Sequence, residues 1–394
     1  TELEKLHNHV TAVPWAQIAP QLIEDLGADP TQLFLDFNPE PIAAASMAQV
    51  YSARLHDGTE VVLKVRRPNL SSTIEADLRL LSHLAHLLAQ NSTDWARFKP
   101  EEMVSYLASA MRDELDFARE GHNCDQVAAA FVDYPDIVFP TIYWQWTSER
   151  VIVQEFMHGT NPTHAAELIG KGLDPHLLAK RGALAILKMI LQDGLFHADP
   201  HPGNLLAMAG NRVGFIDFGM VGRLSERRKG QLLILLRALP EGRGDGVAAM
   251  LLSWSDQYDA DPVHLDMAVE RFLAQHSTGR LQIGRALTDF MALARQQKIT
   301  LPADLSLLFK TFITAEGVLR RIDPQLDLVR LAEPMVIAEI KQHYDVSAMK
   351  QRATYLAAEF YDLAADTPGA IRLLLHRLRH GRIGVDMELR HLDK

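Results

Sequence analysis

The chain has one cysteine in 394 residues, Cys124, and no apolar run long enough to cross a bilayer. A lone thiol excludes an internal disulfide and any metal site built on several cysteines, and it fits a reducing compartment. The longest apolar candidate, Gly182 to Phe196, is broken by Lys188, Gln192 and Asp193, and a spanning helix needs roughly 18 to 20 apolar residues. Positive charge is also scarce. Lys and Arg number 40 against 50 Asp and Glu, and the net charge of −10 argues against general affinity for nucleic acid. Only local basic clusters, Lys64 to Arg67 and Arg372 to Arg382, suit phosphates or anionic lipid. There is no fixed-period repeat and no low-complexity tract, which removes solenoids. The expectation is a soluble, cytoplasmic protein without a signal peptide, and its 47% hydrophobic content can fill one large core or two lobes.

The chemistry concentrates in residues 195 to 219, LFHADPHPGNLLAMAGNRVGFIDFG. Asp199 stands five residues before Asn204, and a second carboxylate, Asp217, follows in the apolar run Val213 to Gly219. Phosphoryl transfer asks for such a set: one Asp to accept or orient the proton of a nucleophile, and an Asn with another Asp to offer hard oxygens to Mg²⁺. Pro200, His201, Pro202 and Gly203 force a non-helical loop between them. The pattern H-x-D-x-x-x-x-N followed by D-F-G matches the catalytic and metal loops of protein kinases, with Ala198 where Arg usually stands. His197 is expected to hold the loop backbone rather than to react.

Upstream, Glu2 to Gly27 has apolar residues at helical spacing on both sides of Pro14, which predicts two short helices with Gly27 as the stop. The chain lacks an initial Met, so a preceding segment is expected. Pro41 to Gln49 is a small-residue loop; Val50 to Leu55 and Glu60 to Val65 are strands joined by His56-Asp57-Gly58. Lys64 ends an apolar strand, where an ammonium needs an anion. Ser71 to Gln90 predicts a helix whose apolar stripe is Ile74, Leu78, Leu81, Leu84, Ala85 and Leu88.

Pro100 to Cys124 predicts one further helix, with Asp113, Asp116 and Glu120 on one face. Asp113 reads as solvated; Glu114, Asp116 and Glu120 are the candidates to pair with Lys64. Tyr143 to Thr147 and Arg150 to Met157 read as strands, with a hinge at His158-Gly159. His164 to Leu195 and nearly everything after Gly222 read as helical: Arg228 to Leu239, Gly246 to Asp256, His264 to Ala274, Asp304 to Arg321, Leu328 to Gln342, Ser347 to Ala365 and Pro368 to His380.

Taken together, Pro41-Ile-Ala-Ala-Ala-Ser46-Met-Ala-Gln49, Val-Val-Leu-Lys64-Val, Glu114-Leu-Asp116-Phe, His197 to Asn204 and Asp217-Phe-Gly219 resemble the UbiB/AarF family of atypical kinase-like proteins over most of the chain. The resemblance implies an α+β, two-lobed protein-kinase-like fold. The small lobe would comprise residues 1–157 and a large, mainly helical lobe residues 158–394. It implies that Lys64 holds nucleotide phosphates and pairs with Glu120, and that Glu114 and Asp116 form the family's E-x-D element. Asp199 would be the catalytic-loop aspartate, and Asn204 with Asp217 would bind Mg²⁺. Glu155 and Met157 would present backbone to adenine, and the Ala-rich Ala43, Ala44, Ala45 and Ser46 would replace the glycine-rich phosphate loop.

Alanine resists positive φ, so that loop is expected to follow another path, helical from Ser46 onward. Implied partners are ATP or ADP, a prenyl-lipid or quinone precursor and an anionic membrane surface, with peripheral membrane attachment in a longer protein. The family's K-x-G-Q helix and C-terminal hydrophobic helices do not occur in these residues. Two alternatives stand beside this reading. One is a small-molecule kinase of the aminoglycoside or choline type, against which the Ala-rich loop and Asp-Phe-Gly argue. The other is a non-catalytic nucleotide-binding scaffold.

Overall fold

Alternation along Glu60–Arg66 sets the N-terminal sheet. Val61, Leu63 and Val65 are buried on one side, and Glu60, Val62, Lys64 and Arg66 lie on the other, partly accessible. The computed structural model describes residues 11–91, 100–242, 244, 246–254, 262–276 and 281–343. The chain divides into two units, residues 1–336 and 337–394, and the sheets and the site belong to the first.

Helices α1 (Trp15–Leu26) and α2 (Pro30–Leu33) precede strands β1 (Ala43–Ala44), β2 (Ala48–Arg54) and β3 (Glu60–Arg66). Helices α3 (Leu70–Asn91), α4 (Pro100–Glu114) and α5 (Phe117–Ala129) follow, then β4 (Ile137–Val138) and β5 (Val151–Glu155). Strands β1-β2-β3-β5 form an antiparallel sheet. Its apolar face packs on Ile18, Leu22 and Leu26 of α1, a helix that stops at Gly27, where φ is 79° and the N–H returns to the Ile23 carbonyl. On the opposite face the cross-strand register places Val50, Lys64 and Ile152 in one row. An ammonium therefore stands among apolar neighbours on the face turned away from α1.

After β5 come α6 (Ala165–Gly170), α7 (Pro175–Lys188) and a π-helical turn, Met189–Asp193. Four short strands, β6 (Leu195–His197), β7 (Leu205–Met208), β8 (Arg212–Phe215) and β9 (Val221–Arg223), make two small ladders, β4-β8-β7 and β6-β9. Helices α8 (Glu226–Glu241), α9 (Val247–Leu252), α10 (Pro262–His276), α11 (Ile283–Gln296), α12 (Ala303–Ile322) and α13 (Leu328–His343) complete the described chain. Helix α12 packs on α7 and α11, and its Thr311 hydroxyl, fully buried, donates to the Ala198 carbonyl at 2.9 Å.

Several expectations are corrected. The helix expected over Pro100 to Cys124 is two helices. Leu115 turns inward, and the Asp116 carboxylate caps α5 by accepting the Arg119 N–H at 3.1 Å. The row Asp113, Asp116, Glu120 therefore does not form, and Asp113 pairs with Arg119 instead. Tyr143 to Thr147 is not a strand but holds a 3₁₀ turn at Trp144–Trp146. Its indoles are claimed by other elements, Trp144 stacking on His122 at 4.1 Å and Trp146 meeting Phe34 at 4.9 Å. No helix starts at Ser46: Ala43–Ala44 is a strand, and Ser46-Met47 is the tip of the hairpin to β2.

The apolar stripe of α3 is divided. Leu78 and Ala85 are buried, whereas Leu81, Leu84 and Leu88 are exposed. Helix α11 was not anticipated. The expected helices around Leu3 to Val10, Ser347 to Ala365 and Pro368 to His380, with the basic cluster Arg372 to Arg382, lie outside the described residues.

One glycine is fixed by contact rather than by backbone. Gly222 pairs across the ladder with Phe196, and a β-carbon there would lie 2.2 Å from the ring. Gly222→Ala is expected to lower stability by about 1 to 3 kcal/mol, the usual cost of overpacking. Phe196→Leu in the same chain should recover much of it, and Gly170→Ala, with open space around it, should show no clash penalty. Chemical denaturation of the variants checks this.

Candidate functional site: a lysine between two carboxylates and the loops beside it

Lys64 is the centre of the site. Its Nζ donates to Glu120 at 2.9 Å and 3.0 Å and to Asp217 at 3.2 Å, and it lies 5.1 Å over the Phe117 ring. Three elements meet there: β3 gives the lysine, α5 the buried Glu120, and the turn after β8 gives Asp217. Helix α5 buries Phe117, Glu120, Gly121, Cys124 and Val127, which is helical spacing on one face. On that same face Asn123 donates to the Phe218 carbonyl at 3.1 Å. The helix is thus tied to the Asp217–Gly219 loop at two points, through Lys64 and through the Phe218 carbonyl.

The three charged groups perturb one another. Burial pushes the Glu120 carboxyl up to about 7, against the pull of the Lys64 ammonium. Burial disfavours the charged form of Lys64, but Glu120 and Asp217 outweigh it and hold the ammonium well above its ordinary range. Asp217 is held below the usual carboxylate range by Lys64 first of all, and further by the Gly219 N–H at 3.2 Å. Its backbone is left-handed at φ 64°, a conformation Asp and Asn tolerate better than other side chains. Solvent reaches 46% of its side chain but only 4% of Glu120.

The catalytic-loop segment is held by its own backbone. His197 is buried, and its Nδ1 accepts the Asp199 N–H at 3.1 Å, which leaves the proton on Nε2, 3.4 Å from the Ile216 carbonyl. Burial lowers the His197 pKa despite Asp217 and Asp199 nearby, so the ring is neutral and organises the turn. The Asp199 carbonyl accepts from the His201 N–H at 2.7 Å and from Asn204 Nδ2 at 3.1 Å. With its amide NH₂ so engaged, Asn204 keeps Oδ1 for a cation. Ala198 is buried, its N–H donating to the Met220 carbonyl at 3.0 Å and its carbonyl held by Thr311.

The other sequence-derived candidates divide. Glu114 ends α4 and faces the site. Its side chain keeps contact with solvent but is partly enclosed by neighbouring groups, and that partial desolvation first, then the Asp217 and Asp199 charges, pushes its carboxyl up, with Lys64 acting the other way. Asp116, two residues on, caps α5 and lines a separate cleft. Ala43 and Ala44 continue the row of the sheet beyond Val50 and Gln49. The Ala45 carbonyl accepts from Arg67 Nε at 2.9 Å, and Ser46 sits at the exposed hairpin tip. Glu155 uses its N–H on the Thr141 carbonyl and its carboxylate on Thr141 Oγ1, both at 2.9 Å, so that amide is not directed at a base. The Met157 methyl lies against Gly214 in β8. Sequence reading missed Asn123 and Thr311. The first was legible, three residues from Glu120 on one helix face; the second contacts a residue 113 positions away and has no local signal.

Mg²⁺, which kinase-like chemistry implies, fits these residues. Glu114, Glu120 and Asp217 share one ammonium, so when all are ionised three negative charges less one positive leave a surplus of two. Among the described residues no group of three or more His, Cys, Asp or Glu side chains is placed to hold a metal. The residues that would hold Mg²⁺ are Asn204, through Oδ1, and Asp217, with the rest of the ion's shell supplied by phosphates and water.

A small antiparallel sheet bearing a lysine, a helix carboxylate against it and an H-x-D-x-x-x-x-N loop before Asp-Phe-Gly define the kinase-like class of folds, here in an atypical form. Residues 5–251 match the ABC1 atypical kinase-like domain and residues 266–327 the UbiB helical domain, and the chain belongs to this ABC1/UbiB family.

A protein of Azotobacter vinelandii named "Probable protein kinase UbiB" is 32% identical over 88% of this chain and 66% of its own length. A protein of the same name from Cellvibrio japonicus is 29% identical over 96% and 70%, and an uncharacterized protein of Synechocystis 31% over 85% and 58%. The chain spans about half to two thirds of the first curated relatives it matches. A Mycobacterium tuberculosis protein solved in complex with erythromycin shares the fold, with a TM-score of 0.62 at 22% identity, over 82% of this chain and 83% of that one.

Removing one partner of the buried pair should show its charge. In Lys64→Met, Glu120 loses the ammonium that lowers its pKa and is left buried among other carboxylates. It then binds its proton more tightly folded than unfolded, so stability falls as pH rises from the ordinary carboxylate range through the raised folded pKa. The expected loss relative to wild type is about 3 kcal/mol at pH 8 and distinctly less at pH 5.5. The double variant with Glu120→Gln should recover part of it. Urea denaturation at the two pH values checks this, and an equal loss at both would mean the pair is not ionic.

Proposed function

We propose that this chain binds a nucleoside triphosphate with Mg²⁺ and transfers or hydrolyses its terminal phosphoryl group. The observation that carries the proposal is Lys64 held between Glu120 and Asp217, with the Asp199–Asn204 loop at the same site. Residues 1–157 supply Lys64, Glu114 and Glu120, and residues 158–394 supply Asp199, Asn204 and Asp217, which favours a two-lobed division of the work.

In this reading Lys64 exchanges its bond to Asp217 for a phosphate oxygen while Glu120 keeps it oriented. Asn204 Oδ1 and Asp217 would hold Mg²⁺, which would neutralise phosphate charge. Asp199 orients the acceptor, water or a hydroxyl, and takes its proton as the new O–P bond forms and the bond to the leaving nucleoside diphosphate breaks. The relatives bearing the name protein kinase support phosphoryl transfer. A role in ubiquinone or other prenyl-lipid metabolism, at a membrane surface, rests on the family resemblance. No described helix is long and apolar enough to cross a membrane.

Two substitutions separate metal binding from catalysis. Asp217→Asn keeps a side chain suited to positive φ and removes the charge. It should abolish most of the Mg²⁺-dependent thermal shift given by ADP or ATP, and a shift equal to wild type would remove Asp217 from the metal site. Asp199→Asn acts on the transition state. Nucleotide turnover should fall at least about a hundredfold, the scale of one general base, with nucleotide affinity by calorimetry within about twofold. Undiminished turnover would reject the assignment of Asp199 as base.

A further inference from the structure

Helix α3 carries two apolar faces. Leu78 and Ala85 are buried, but Leu80, Leu81, Leu84, Leu87 and Leu88 are 60%, 40%, 47%, 41% and 43% exposed. They form one stripe at helical spacing. The ion pairs Glu75–Arg112 and His86–Glu101 set α3 antiparallel to α4, which brings exposed Met103 level with Leu84 and exposed Leu107 level with Leu80. Contiguous exposed apolar surface of this kind marks an interaction site.

The stripe has a symmetry that singles out its occupant. Measured from Leu84, the leucines stand at −4, −3, 0, +3 and +4. A helix with that pattern is its own complement when turned end for end: Leu84 meets Leu84 of a second copy, Leu80 meets Leu88, and Leu81 meets Leu87. Self-complementarity about a point is the requirement of a two-fold contact. The flanking charges agree. Antiparallel pairing sets Asp77 opposite Asn91 and Arg79 opposite Ala89, so no like charges meet. A parallel pair would set Asp77 against Asp77 and Arg79 against Arg79. An anionic lipid surface fits poorly, because α3 and α4 together carry six carboxylates and two arginines.

We propose that this face joins two copies of the chain in an antiparallel, two-fold contact through α3, centred on Leu84. The contact is independent of the nucleotide site. A single-helix seam is small beside the roughly 800 Å² per partner of a standard interface, so the dimer forms reversibly.

Sedimentation velocity of the chain up to on the order of 100 µM, where modest interfaces populate, should show monomer and dimer. Leu84→Arg should weaken the dimer at least about tenfold, as loss of a central contact does, with an unchanged melting curve. Geometry is read by crosslinking with a short bis-maleimide, since the native thiol, Cys124, is buried. Leu84→Cys should link to itself. Ser72→Cys should not, because at 1.5 Å per residue it lies about 36 Å from its copy in an antiparallel pair. A monomer at every concentration overturns the proposal, as does a dimer indifferent to Leu84→Arg or crosslinking at both positions. Leucine-dependent co-sedimentation of a monomer with uncharged phosphatidylcholine vesicles overturns it too, assigning the face to lipid.

Discussion

A single ammonium among carboxylates is the constraint on which the rest of this structure depends. Burying Lys64 unpaired is costly, and the alternation of β3 leaves no other place for it once Val61, Leu63 and Val65 have taken the core. Glu120 and Asp217 answer that need from two separate downstream segments, a helix and a loop. Because both respond to one lysine, the sheet, α5 and the Asp217–Gly219 loop are held in a common register. Asn123 on the Phe218 carbonyl adds a second tie between the same two elements.

The surplus of negative charge follows from the same arrangement. Glu114 is near enough to feel Asp217, Lys64 and Asp199. The nucleotide and divalent ion proposed for this site would meet that charge through the ion and the phosphates it carries. Its supports, by contrast, are neutral: a buried histidine on a backbone N–H, a carboxamide on a backbone carbonyl and a threonine hydroxyl on Ala198. Neutral hydrogen bonds fix the loop without drawing on the charge around Lys64. Where protein kinases carry an arginine, Ala198 instead lets the His197–Asn204 loop sit directly on α12.

Local pattern determined much of this protein. The D-x-x-x-x-N and D-F-G loops, the hairpin around Asp57-Gly58, the strand that ends in Lys64 and most helices after Gly222 are legible because strand alternation, turn residues and short polar spacings are properties of neighbouring residues. The fold class, α+β and kinase-like, and the family came from the resemblance that these motifs carry.

Tertiary structure alone decided the rest. Whether Glu114, Asp116 or Glu120 meets Lys64 depends on where a helix breaks, and the break at Leu115 depends on burial and on a cap that competes with continuing the helix. The Trp144–Trp146 turn, the strand at Ala43–Ala44 and the exposed leucines of α3 departed from local preference for the same reason. What each residue packs against is set by distant elements, and a contact such as Thr311 with Ala198 leaves no trace in the sequence around either residue.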